Sequence, residues 1–117
     1  MASTEQITAA INAHVAAVGA ADVDALALLY AEEADLQDPA GITVAVGRSA
    51  IRRYFATVLT QPREMEIVFM AVTDHRAAVH FRATPAGGTT RDVIDTMTFD
   101  NQGAIVSMKA YAGDGDG

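Results

Sequence analysis

Apolar residues recur at helical spacing through the first half of the chain and at alternate positions through the second. Ile7, Ile11, His14, Val15 and Val18 fall on one stripe, preceded by Ser3-Thr4-Glu5-Gln6, which has the form of a capping box. The pattern predicts a helix from about Thr4 to Val18, with Gly19 as its C-cap. Asp22 is suited to cap a second, short helix, Val23 to Tyr30, burying Val23, Leu26 and Leu29 or Tyr30. The acidic stretch Ala31 to Gln37 runs into a short strand, and Ile42 to Val46 reads as another. Ser49 opens a third helix that turns Ile51, Tyr54, Phe55, Val58 and Leu59 inward and is ended by Gln61-Pro62. From Glu64 the period becomes two. Met65 to Thr73, Arg76 to Thr84, Thr89 to Asp100 and Ala104 to Ala112 then read as four strands, joined by segments with turn chemistry.

Helices first and an antiparallel meander afterwards predict an α+β chain with helices packed on one face of a sheet. Its 117 residues suffice for one hydrophobic core, so residues 1–112 are expected to form one domain and 113–117 a disordered tail. The net charge of −7, with seven arginines and one lysine in no tract, argues against nucleic acid as a partner. It leaves room for a small ligand, uncharged or anionic only in transit, held inside the protein. There is no cysteine, and His14, His75 and His80 lie far apart, so no metal site is expected. The N-terminus lacks a basic region followed by an apolar block. Gln6 to Ala21, alanine-rich but holding Asn12 and His14, reads as a buried helix and not a membrane span. A cytoplasmic location is the expectation.

Three polar residues carry candidate chemistry. Asp38 precedes Pro39, which disfavours the helical region for it and fixes the direction of its side chain. A positioned carboxylate suits a general base. Asp38-Pro39-Ala40-Gly41 is equally a type I turn signature, and the residue types leave both readings open. Asp95 shares a strand face with Val93, Met97 and Phe99. Burial there favours the neutral acid, a strong donor to a developing oxyanion, unless the residue lies at an edge or pairs with Arg82. His14 points inward with the apolar stripe, as a hydrogen-bonded core residue or as a donor facing a cavity.

The segments LYAEEADLQDPAG, GRSAIRRYF and DVIDTMTFDNQGAIVSMKAY together resemble the bacterial Δ5-3-ketosteroid isomerases, small cofactor-free homodimers of the NTF2-like and SnoaL-like superfamily. The resemblance covers nearly the whole chain and is weakest over 60–71 and 85–91. It implies an NTF2-like cone, three N-terminal helices packed on a curved, mostly antiparallel sheet that encloses an apolar pocket. It implies a base at Asp38 that moves a proton from C4 to C6 of a 3-oxo-Δ5-steroid through a dienolate. A protonated acid at Asp95 would donate to the dienolate oxygen, the two carboxyl groups being held in opposite states by their surroundings.

The departures from the family concern the second oxyanion donor. The family's tyrosine in the first helix is matched by His14, and its Phe-Tyr pair in the third helix is inverted as Tyr54-Phe55, so that Tyr54 is a candidate for the missing hydroxyl. Tyr30 matches a tyrosine of the same network. Phe81, Val93 and Met108 match substrate-lining positions, whereas Ala112 replaces a large aromatic. Met65, Met70 and Met97 are expected to be core filler, and His80 and Arg82 to lie outside the site. The departures keep a second class of function in view, an NTF2-like ligand-binding protein without turnover, or a cyclase or dehydratase using Asp38 on another carbonyl compound.

Overall fold

A computed structural model describes residues 2–113; the part of the expected tail from residue 114 on lies outside the described residues. Helix α1 spans Thr4–Ala20 and begins with the predicted capping box, in which Ser3 and Gln6 satisfy each other's backbone N–H groups. It outruns its expected end. The C-cap is Ala21, in a left-handed conformation (φ 56°), and Gly19 is an interior residue.

Gly19 is there for close approach. A Cβ built on it would lie 2.8 Å from Met65 Cγ and 3.2 Å from the Arg63 carbonyl oxygen, so the end of α1 rests directly on the first long strand. Gly19→Ala is therefore expected to destabilise the fold by about 1–2 kcal/mol, the clash outweighing a helix-propensity gain of about 1 kcal/mol. Urea denaturation measures it, and a stabilised variant would show that the two backbones do not approach so closely.

Helix α2 is shorter than predicted, Val23–Ala27, capped by Asp22. Tyr30 is not its last residue but the first of strand β1, Tyr30–Gln37, followed by β2, Thr43–Val46, and α3, Arg48–Val58. Of the residues expected on the inner face of α3, Ile51, Phe55 and the following Leu59 are buried, Tyr54 is half-buried and Val58 is exposed. The remaining strands are β3 (Arg63–Thr73), β4 (Arg76–Pro85), β5 (Arg91–Phe99) and β6 (Ile105–Ala112). Sequence patterning located all four, with β3 starting two residues earlier than expected.

The strands form one sheet in the order β2-β1-β6-β5-β4-β3. All neighbours are antiparallel except β1 and β6, so the sheet is mixed. The helices cover one face, and α1 packs chiefly on β3. Between them lies the core, built on Ile7, Ile11, Leu26, Tyr30, Leu36, Ile51 and Ile105, each fully buried. Met97 is part of this core, while Met65 and Met70 pack against it. No helix among the described residues is long and apolar enough to cross a membrane.

Candidate active site

Each acid is delivered by a different local device. After β1 the chain turns back at Pro39, where the hydrogen-bonded turn runs from Pro39 to Ile42 (Ile42 N–H to Pro39 O, 3.0 Å) with Gly41 at φ 98°. This is one residue later than the turn predicted to start at Asp38, and the positive φ at its third residue is what requires glycine there. Asp38 instead closes the hairpin, its N–H donating to Ile42 O at 3.0 Å, and the Asp38-Pro39 bond is cis. The loop is pinned to the sheet by Ala40 N–H donating to Ala110 O at 2.8 Å. Ala110 is the register partner of Asp95 across β5 and β6. One hydrogen bond thus fastens the Asp38 loop beside the strand position that presents Asp95.

Asp95 is buried, at 4% exposure, and faces inward with Val93, Met97 and Phe99, as alternation requires. It is neither at a sheet edge nor clasped by Arg82, whose guanidinium bonds Asp92 and lies near Glu66. Burial first, and the Asp38 charge second, push its carboxyl up to about 7. A substantial share of the molecules therefore carries a neutral Asp95 acid at neutral pH.

His14 is fully buried, and its Nε2 lies 2.7 Å from the Tyr30 hydroxyl. Burial lowers the imidazole to about 4, so it is neutral and has one N–H to offer. Tyr30 does not line the cavity, contrary to the expectation that it contacts substrate; it stands behind His14 and fixes the ring. Burial, followed by the charges of Asp95 and Asp38, raises the Tyr30 hydroxyl well above its ordinary value, which keeps it a proton donor.

The inverted pair in α3 has a structural consequence. Tyr54 donates its hydroxyl to Asp38 Oδ2 at 2.7 Å, while the plain ring of Phe55 meets His14 edge-on at 6.4 Å and Tyr30 at 6.1 Å. The hydroxyl of the pair is thus committed to Asp38. The Tyr54 hydroxyl is pushed up to about 12, by burial and by the bond to Asp38.

His14, Asp38, Tyr54 and Asp95 line one cavity of about 360 Å³, near the lower end for small-molecule sites. Phe81, Val93, Met108 and Ala112 supply its wall, together with Val18, Leu59 and Ala83. Arg63 and Arg91 also line it, and sequence reading missed both. Arg91 shares the alternation of Val93 and Asp95, a signal that was present. Arg63 carries none, because the alternation places the start of β3 at Met65. His80 and Arg82 lie outside the cavity and bind Asp92. A larger hollow of about 570 Å³ opens among Thr96, Thr98 and Lys109 but holds no carboxylate. Size does not choose between the two; the paired acids do. Among the described residues no group of three potential ligands could hold a metal.

Residues 11–108 match the SnoaL-like domain family. The Steroid Delta-isomerase of Nocardioides simplex is 34% identical over 114 residues, 95% of this chain and 93% of that protein. Among solved structures, the epoxide hydrolase/cyclase-like enzyme SalBIII, of pyran ring formation in the polyether salinomycin, superposes with a TM-score of 0.83 at 26% identity, over 99% of this chain and 97% of that one. An NTF-2 like protein of unknown function from Burkholderia xenovorans LB400 superposes with a TM-score of 0.82 at 23% identity, over 94% of this chain and 84% of that one, a likeness of fold alone. With its α+β architecture, curved mixed sheet and paired acids, the chain belongs to the SnoaL-like (NTF2-like) domain family.

Proposed function

We propose that this protein is an isomerase that shifts the double bond of a 3-oxo-Δ5-steroid into conjugation, without a cofactor. The observation that carries the reading is the convergence of a half-buried carboxylate, a buried acid raised to about 7 and a neutral imidazole on one apolar cavity. The Asp38 carboxylate takes a proton from C4. The electrons of that C–H bond form C3=C4, and the carbonyl π pair moves onto oxygen, giving a dienolate. Asp95 in its neutral form donates a hydrogen bond to that oxygen, and His14 adds a second, weaker one. Asp38 then returns the proton to C6, the carbonyl re-forms, and the double bond lies between C4 and C5. Tyr54 acts as a positioning residue, holding Asp38 through the 2.7 Å bond to its Oδ2.

The test is turnover of androst-5-ene-3,17-dione, followed by the rise of the conjugated enone's absorbance. Activity that disappears in Asp38→Asn supports the reading. No activity in the wild type, with a phenolic steroid still bound, favours a binding protein instead. The likeness to SalBIII supports a second reading, a cyclase in which the same acid and base act on another oxygenated substrate. Finding cyclised product with no steroid isomerisation would select it. A homodimer, a steroid-like ligand and a cytoplasmic location belong to the first proposal. The exposed Phe69, Ile94 and Tyr111 on the outer face of the sheet support dimerisation, and light scattering at micromolar concentration tests it.

His14→Tyr is expected to raise the isomerisation rate by about tenfold or more, because a phenol is a stronger donor than neutral imidazole and one oxyanion donor is typically worth about 10²–10³ in rate. Steady-state kinetics measures it. A slower variant with an unchanged circular dichroism spectrum would mean that His14 does not face the oxyanion.

A further inference from the structure

The cavity is charged differently at its two ends. Asp95 and His14 are buried at one end, whereas half-buried Arg63 and exposed Arg91 stand toward solvent. On β5, Arg91 and Asp95 are four residues apart on the same face, which places their Cα atoms about 13 Å apart at about 3.3 Å per residue. Arg63 pairs with Pro85 and Arg91 with Ala83, so the two guanidinium groups flank the end of β4 at the cavity mouth.

Three of this acidic protein's seven arginines have partners away from the cavity. Arg52 binds Asp24, Arg82 binds Asp92, and Arg48 donates to the Tyr30 carbonyl. Arg63 and Arg91 bind no carboxylate among the described residues, although each has an acid beside it in the chain. Glu64 follows Arg63 but faces the other side of β3 by alternation. Asp92 follows Arg91 and is taken by His80 and Arg82 on the outer face. Arg91 has one bond, a long one, to the Gly113 carbonyl (3.3 Å). The Nε of Arg63 is buried and finds no acceptor among the described residues. A buried N–H without an acceptor is costly, and native structures seldom leave one. A guanidinium is built to clasp an oxyanion with parallel N–H bonds.

The geometry points to Arg63, assisted by Arg91, as the recognition site for an oxyanion on the substrate's far end, opposite the ketone that meets Asp95. The ligand class is a steroid-like ketone whose distal end carries a carboxylate or sulfate. This inference rests on the isomerase reading for the identity of the ketone end, but the anion end is tested without turnover.

The experiment measures dissociation constants by calorimetry for three androst-4-en-3-ones, which are not turned over. They carry a 17-ketone, a 17β-carboxylate or a 17β-sulfate. The wild type is expected to bind at least one anion about tenfold or more tightly than the ketone at low salt, with the preference shrinking as salt is added. Whichever anion is preferred identifies the group. In Arg63→Gln the anion-to-ketone affinity ratio is expected to fall most of the way to one, and in Arg91→Gln less far, its charge being exposed. Equal binding of all three ligands by the wild type overturns the proposal whether or not the variants fold. So does a preference that survives in both variants. Turnover of androst-5-ene-3,17-dione is read separately. An anion preference without turnover sinks the isomerase reading and leaves the anion site standing, and turnover without a preference does the reverse.

Discussion

Asp38→Asn is expected to remove detectable isomerisation of androst-5-ene-3,17-dione while leaving the affinity for a phenolic steroid within a few-fold of wild type. Asparagine keeps the size of the side chain and an oxygen that can accept the Tyr54 hydroxyl, so the hairpin and its bond to Ala110 should persist. What it lacks is a site for the C4 proton. A positioned general base is typically worth about 10²–10⁴ in rate, and here the same group must also return the proton to C6. Loss of both steps puts the expected fall at or beyond the upper part of that range. Stopped-flow absorbance measures it. A variant that isomerises at the native rate removes Asp38 from the mechanism.

The second large effect is at Asp95. Asp95→Ala is expected to slow turnover by about 10²–10³, the usual cost of losing one oxyanion donor. Asp95→Asn should lose less, since an amide N–H can still donate. The wild-type rate should fall as pH rises through about 7, because the acid must hold its proton to donate it. Stability follows the same sign. The folded carboxyl is raised from 3.8 to about 7, so between those values the folded protein holds a proton that the unfolded chain has released. The resulting stabilisation is present below about pH 4 and is lost as pH rises through about 7, with a swing of order 4 kcal/mol across the window. Asp95→Asn, which cannot ionise, should therefore gain on the wild type as pH rises from 5 to 8. Urea titrations at the two pH values check this, and a difference independent of pH would mean that Asp95 is not held in an apolar environment.

How far the sequence discloses the site depends on which interactions are local. Asp95 was legible because alternation along a strand assigns faces without knowledge of the partner strands. Its freedom from Arg82 was not, since that required knowing that Asp92 occupies Arg82 on the outer face. The stripe of α1 announced the inward position of His14, but its bond to Tyr30 joins residues that are distant in sequence. Tyr30 itself reads as helical because Leu26, Leu29 and Tyr30 continue a helical spacing. Pairing with Ile105 pulls it into β1, a tertiary contact overriding a local pattern. The inversion of Tyr54 and Phe55 was visible as letters only. Its structural consequence, a hydroxyl bonded to Asp38, depends on where the Asp38 loop lands. Arg63 was invisible because a strand that begins beside Pro62 offers too few alternations to assign its first residue to a face.

The proposed chemistry requires a neutral Asp95 acid inside the cavity near neutral pH. The most direct measurement is the carboxyl ¹³C shift of Asp95, assigned with Asp95→Asn, in protein labelled at aspartate and titrated from pH 5 to 9. The expected result is a protonated signal at pH 5 that changes to the carboxylate position with a midpoint near 7. A carboxylate shift across the whole range would contradict it.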